Sequence, residues 1–192
     1  MHQRLPKYAP DALAPERRAV YDAIAGGPRA AGPQLFRLTD SDGALEGPFN
    51  AMLASPGVGM ALQRLGAAIR FETGLSDRCR EIAILTLAAA RDSAFEWYAH
   101  ERVGRQVGLT QDELDALRDH QSPASLSPTE SVTRDTVVAL LDHRDLDDEQ
   151  FELARDVLGL ERLVELVTLT GYYDLLALSL RVFRVPLPDD EA

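Results

Sequence analysis

The chain has a single cysteine, Cys79, among its 192 residues. One thiol excludes an intrachain disulfide and any zinc site built on several thiolates. Strand signals are almost as scarce: no Asn-Gly or Asp-Gly turn separates two alternating runs, and Asp42-Gly43 has no strand pattern on either side. Positive charge is in deficit, with 20 Lys and Arg against 31 Asp and Glu and a formal net charge of −11. So acidic a chain repels the phosphate backbone of nucleic acid and, for the same reason, an anionic membrane surface. Long hydrophobic runs are missing too, since the longest, 82–90, is far too short to span a bilayer. The first ten residues lack the apolar core of a secretory signal. A Gly-rich phosphate loop, a Ser-His-Asp pattern and a His-Glu-x-x-His zinc motif are absent as well. These absences lead us to expect a cytoplasmic protein without metal or cofactor that binds neither nucleic acid nor membrane.

What is present is helical. Hydrophobic residues at 45% and charged residues at 27% suit one globular domain with appended arms. Pro15 opens a helix with Ala19, Val20, Ala23 and Ile24 at helical spacing, and Gly26-Gly27 closes it. The stretch 28–48, rich in Gly, Pro and Asp, reads as an irregular arm. Ser55 before Pro56 starts a helix that runs to Gly74. Ser76 caps the next, whose run from Ile82 to Ala88 is apolar all round and belongs inside a bundle.

Four later starts carry the capping-box pattern: Ser93 with Glu96, Thr110 with Glu113, Ser127 with Glu130, and Asp147 with Gln150. The last helix runs from about Glu161 to Phe183, ahead of Pro186. Gly74-Leu75, Gly108-Leu109 and Gly159-Leu160 each put an apolar residue after a glycine, as a Schellman stop requires. The fold expected is an all-α multi-helix bundle of roughly nine helices. An echo between 81–86 and 165–170 fits either a repeated helical unit or chance likeness of two buried helices.

Chemistry is concentrated near His100. His2, His120 and His143 fall at a terminus or at helix ends, where a cation complements the helix dipole. His100 lies within a helix, one turn after Glu96, so that carboxylate and imidazole share a face. A neighbouring carboxylate fixes the tautomer of an imidazole and favours its charged form, as a general acid or base requires. The same spacing also occurs in solvated Glu-His pairs with no chemical role. Glu81 stands in the first turn of the preceding helix, about eleven residues before the hairpin turn, while Glu96 lies about three after it. Contact between the two carboxylates inside one hairpin is not expected at a rise of about 1.5 Å per residue. A crossing helix or a second subunit would complete the set. The aromatics Phe95, Trp97, Tyr98, Tyr172 and Tyr173 are expected mainly in packing, and Cys79 as a buried, inert thiol.

Gly47-Pro48-Phe49-Asn50, Arg80-Glu81-Ile82-Ala83-Ile84-Leu85-Thr86, Glu96-Trp97-x-x-His100 and Gly108-Leu109 together resemble the carboxymuconolactone decarboxylase and alkylhydroperoxidase D-like family. The resemblance covers roughly 47–188, with the final helix through Gly171-Tyr172-Tyr173, and sets off 1–46 as an N-terminal helix and arm and 189–192 as an acidic tail. It implies an all-α fold built from a repeated helical unit, assembled as trimers or hexamers whose neighbouring subunits wall the site. The hydroperoxidase branch carries Cys-x-x-Cys and a later His, with a Glu upstream. Here the Glu and His match Glu81 and His100, but the cysteine positions fall on Ser93 and Glu96. A hydroxyl and a carboxylate cannot replace a thiolate attacking a peroxide. The decarboxylase branch, with Glu four residues before His, is the nearer match.

The expectation is a cofactor-free lyase or proton-transfer enzyme acting on a small carboxylated or lactone substrate. His100 would move the proton, Glu96 and Glu81 would tune it, and Asn50, Arg80, Trp97 and Tyr172 would contact the substrate. The alternatives are an alkylhydroperoxidase-like protein relying on Cys79, or a homo-oligomeric binding protein that kept the fold without the reaction.

Overall fold

Proline and short polar caps set most of the helix starts that the computed structural model shows; it describes residues 2–31 and 34–188. Among these residues there are nine α-helices: α1 Pro15–Ala25, α2 Pro48–Ala54, α3 Pro56–Phe71, α4 Asp77–Ala90, α5 Ala94–Gln106, α6 Gln111–Arg118, α7 Pro128–His143, α8 Asp148–Leu158 and α9 Leu160–Phe183. β structure among them amounts to one isolated bridge, Thr39 with Leu45. The all-α expectation holds. The short α2, hidden in the sequence by Pro48 and Pro56 on either side, was not foreseen. The acidic tail 189–192 lies outside the described residues.

The chain forms two compact units, one of the described residues up to Glu72 with those from Leu178, the other Thr73–Ala177. In the first, α1, α2 and α3 pack on one another around Val20, Ile24, Leu45 and Leu53. Gly59 permits the close passage of α3 over α2, since a Cβ there would lie 2.0 Å from the Met52 carbonyl oxygen. The N-terminal segment is tied down by Asn50, whose Oδ1 accepts from the Tyr8 N–H at 3.2 Å and whose Nδ2 donates to the Pro6 carbonyl at 3.0 Å. Lys7 adds ion pairs with Glu46 and Asp40.

The second unit is built on α4, which packs against α5, α6 and α7. Every residue from Cys79 to Ala88 is buried, as the run of apolar residues requires. Ile82, Leu85 and Ala88 join Trp97, Leu109, Leu114 and Leu117 in one core cluster. Arg78 staples the surrounding loops: its guanidinium bonds Glu130 at 2.6 Å, Glu113 at 3.0 Å and the Gly108 carbonyl.

Three of the four expected capping boxes form, at Thr110/Glu113, Ser127/Glu130 and Asp147/Gln150. The fourth does not, because Ser93 makes no capping hydrogen bond and Glu96 is turned into the interior. Only one of the three expected glycine stops is a Schellman turn. Gly108 has φ +91, the Leu109 N–H reaches back to the Gly104 carbonyl at 2.8 Å, and Leu109 is buried. Gly159 also has positive φ, but α9 starts directly after it and leaves Leu160 exposed. Gly74 instead gives its N–H to the Glu165 carboxylate at 2.9 Å. The sequence also understated α9, which is the one described helix long and apolar enough to cross a bilayer. Its Leu163, Leu166, Leu169 and Tyr172 are buried, which accounts for much of that apolarity as core packing.

Candidate functional site

The α4–α5 hairpin places the site. Its turn is closed by Asp92 in the left-handed region at φ +50, while the Ser93 N–H bonds the Ala88 carbonyl at 2.9 Å. Aspartate tolerates that conformation better than most side chains. Eleven residues before Asp92 stands Glu81 and eight after it stands His100. The mismatch is three residues, about 4.5 Å of helix rise, which two long side chains span.

Glu81 Oε2 and His100 Nδ1 are 2.7 Å apart, with both residues buried. This corrects the expected pairing of His100 with Glu96. The hairpin brings Glu81 to the nitrogen that the intrahelical neighbour would have taken. Nδ1 thus faces the carboxylate, and Nε2 makes no hydrogen bond among the described residues. Arg80 backs the carboxylate from the other side, its Nε 3.8 Å from Glu81 Oε1, and its Nη2 bonds Asp77. Arg80 thus bonds Asp77, while its buried Nε has no hydrogen bond of ordinary geometry among the described residues.

Glu96 has a different role in the structure. Both its oxygens are buried and neither has a hydrogen bond of ordinary geometry. Burial, above all, pushes its carboxyl up to about 8; the nearby Ser93 hydroxyl opposes this, and the negative charge of Asp174 adds to it. Glu96 therefore holds its proton at neutral pH. The Ser93 hydroxyl is likewise buried and unbonded. The missing capping box and the proton on Glu96 have one origin: the carboxyl that should cap the helix is spent inside.

On the α9 side, the Tyr173 ring meets the His100 ring edge-on at 5.2 Å, and Tyr172 stacks edge-on against Tyr173 at 5.4 Å. The expected contact residue Tyr172 thus lies one ring further out, and Tyr173 touches the imidazole. Asp174 bonds Arg91 at 2.6 Å and faces Glu96 electrostatically. Neither role was legible, because helical spacing alone cannot say which side of α9 meets α5. Trp97 belongs to the core cluster, with the Arg118 guanidinium 4.7 Å from its ring centre and its indole N–H unbonded. Asn50 has both ends of its amide taken by the N-terminal segment.

No cluster of three or more His, Cys, Asp or Glu suited to a metal occurs among the described residues. Surface cavities open among the described residues of this unit. One of about 290 Å³ is lined by residues including Thr86, His120, Arg134 and Asp142. Another of about 230 Å³ is lined by residues including Asp92, Ser93, Trp97, Arg118 and His120. His100 lines neither of them.

Comparison with known proteins agrees with this architecture. Residues 56–139 match the model of the carboxymuconolactone decarboxylase family, so the resemblance read from the sequence holds over that segment. No curated protein matches the chain. An alkylhydroperoxidase AhpD core protein, an uncharacterized peroxidase-related protein from Ralstonia eutropha JMP134, superposes with a TM-score of 0.77 at 16% identity, over 99% of this chain and 95% of that one. A putative antioxidant defence protein AhpD of unknown function from Agrobacterium tumefaciens gives 0.63 at 20% identity, over 72% and 96%. The debrominase Bmp8 in complex with 2,3,4-tribromopyrrole gives 0.70 at 13% identity, over 98% and 93%. At these identities the likeness establishes the fold, which is that of the alkylhydroperoxidase D-like proteins.

Proposed function

We propose that this chain is a cofactor-free proton-transfer enzyme of the carboxymuconolactone decarboxylase type, acting on a small carboxylated or lactone substrate. The observation that carries the proposal is a buried carboxyl that keeps its proton, Glu96, one helical turn from an imidazole held by a second carboxylate. A carboxyl that keeps its proton beside an oriented imidazole divides hydrogen-bond donation from proton transfer.

Glu81 anchors Nδ1–H and orients the ring, so the reacting nitrogen of His100 is Nε2. In proton abstraction, Nε2 takes a proton from carbon beside a carbonyl, and the charge it acquires is balanced by Glu81. In decarboxylation the bond to the carboxylate breaks, carbon dioxide leaves, and the electron pair moves into a conjugated carbonyl as a dienolate. Nε2, having taken a proton from solvent beforehand, delivers it to carbon and is left neutral. Glu96, neutral and with both oxygens uncommitted, donates a hydrogen bond to the oxygen where charge develops. Arg80 stands behind Glu81 and helps hold its carboxylate in place. That Bmp8 binds a small heteroaromatic ring within the same fold supports a small planar substrate.

The low exposure of His100, 7%, favours a second reading, a binding protein without turnover. A panel of small unsaturated lactones and oxo acids separates the two, scored by carbon dioxide release and by solvent deuterium entering carbon. Turnover lost at least about 10²-fold in His100→Asn supports the enzyme reading. Binding by native mass spectrometry with no turnover of any bound compound selects the second, and turnover unaffected by His100→Asn refutes the assignment.

A further inference from the structure

Helix α5 begins without the cap its sequence offers. Ser93, the N-cap residue, makes no side-chain hydrogen bond, and the Glu96 carboxyl is turned inside. The first turn therefore keeps N–H groups that no side chain satisfies, at the positive end of a helix of 13 residues. Such a helix start stabilises an anion brought to it from outside.

The cavity of about 230 Å³ opens at this helix start, with Ser93 and Ala94 in its wall. Ser93 and Trp97 both line it and are only 8% and 5% exposed. The Ser93 hydroxyl and the Trp97 indole N–H are nevertheless buried without a hydrogen-bond partner. A buried donor without an acceptor is costly, and in a native fold it asks for an explanation such as a bound molecule.

Arg118, in the last turn of α6, lines the same cavity. Its guanidinium lies 4.7 Å from the centre of the Trp97 ring and makes no hydrogen bond or ion pair among the described residues. In a chain of net charge −11, that cation has found an aromatic face and no carboxylate. Its fork of N–H donors matches the two oxygens of a carboxylate.

The rest of the wall narrows the class of anion. Asp92 also lines the cavity and repels a doubly charged group, which favours a monoanion over phosphate or sulfate. Glu96 adds no such repulsion at neutral pH, because burial keeps its proton in place. Ala88, Ala89 and the Trp97 ring offer apolar wall to a short hydrocarbon part. The volume falls below the roughly 300–1,000 Å³ of ordinary ligand pockets, so the molecule is small.

We infer that this cavity binds a small organic monocarboxylate. Arg118 and the first turn of α5 take the carboxylate, Ser93 donates its hydroxyl to it, and Trp97 walls the hydrocarbon part. The site lies wholly within the unit Thr73–Ala177, and His100 is not in its wall. Binding here does not depend on the chemistry proposed for His100. A chain that binds a monocarboxylate and turns over nothing keeps this inference and loses only that one.

Trp97 is the single tryptophan of the chain and reports from the cavity wall. Titrating the full chain with butanoate at constant ionic strength is expected to change its fluorescence saturably, with a Kd of about 1 mM or below. Butanamide, the neutral isostere, and inorganic phosphate should each bind at least about tenfold more weakly. Arg118→Met should weaken butanoate binding at least about tenfold. Broadening of the butanoate methyl resonance reads that variant, since losing the guanidinium also alters the tryptophan emission. Ser93→Ala should weaken binding at least about threefold while the urea midpoint stays level or rises, because the hydroxyl it removes has no partner in the free fold. A merely structural serine would not separate the two readouts in this way. No saturable change up to about 50 mM butanoate would overturn the site. Equal binding of butanamide would overturn the anion, and tighter binding of phosphate the monocarboxylate. An affinity untouched by Arg118→Met or by Ser93→Ala would overturn the placement of the carboxylate.

Discussion

Replacing Glu96 by Gln tests the buried proton directly. The unfolded chain releases that proton near the ordinary carboxyl value of 4.5, and the folded chain holds it to about 8. Below pH 4.5 both states are protonated and Glu96 adds nothing to the pH dependence. Between the two values the folded state holds one proton more, so stability falls as pH rises, by about 1.4 kcal/mol per pH unit. Above about 8 both states are ionised and the loss levels off. The full loss is roughly 5 kcal/mol, of which roughly 3 kcal/mol has already occurred by pH 7. Glu96→Gln keeps the shape and removes the titration. Urea unfolding of both proteins at several pH values between about 5 and 8.5 gives the difference in stability. That difference should move in favour of the variant by more than about 1 kcal/mol for each pH unit. Because the readout is a slope, a constant cost of burying the amide does not disturb it. A difference that stays flat across the range would show that Glu96 is ionised in the fold, and its proposed role as a hydrogen-bond donor would fail with it.

The peroxide reaction of the hydroperoxidase branch should be absent. Peroxide consumption with a dithiol reductant is expected at background rates in the wild type and in Cys79→Ser alike, and a rate abolished by Cys79→Ser would reverse that reading. Arg78→Met should destabilise the fold by about 3 kcal/mol, since it strands the buried Glu113 carboxylate. Burial pushes Glu113 upward, but the Thr110 N–H, the Ser125 hydroxyl and Arg78 together hold it below the ordinary range. The stability it contributes is present above pH 4.5 and is lost as pH falls through its lowered value. Acid unfolding of the wild type should therefore show a limb below about pH 4.5 that is shallower in Arg78→Met, and identical limbs would count against the Arg78 staple.

The helix starts were legible because each rests on local chemistry. Thr110, Ser127 and Asp147 need only their own N3 residue to cap, and all three do so. Ser93 and Glu96 carry the same letters and fail, because the choice between capping and burial depends on tertiary surroundings that include Asp174, far away in sequence. His100 could be singled out by its place within a helix. Its partner could not, since the Glu81 contact depends on how deeply two helices overlap in the hairpin. Leu160 and Leu109 follow glycine in the same way, and only the direction of the next helix separates the buried one from the exposed one. The break in a local rule at Ser93 and Glu96 marks the place where the chain departs from simple stability, as sites of chemistry commonly do.

Glu81 sits on the helix that the rest of its unit encloses. Ile82, Leu85 and Leu87, its neighbours on α4, have no measurable exposure. Opening α4 enough to wet that carboxylate would uncover the core cluster as well, so local fluctuation cannot release it and only cooperative opening of the unit can. The anchor of the imidazole is thus as long-lived as the fold itself. If the proposed enzyme admits its substrate here, the motion has to come from the other walls, the first turn of α5 and the Tyr173 face of α9, while Glu81 stays fixed as the point against which they move.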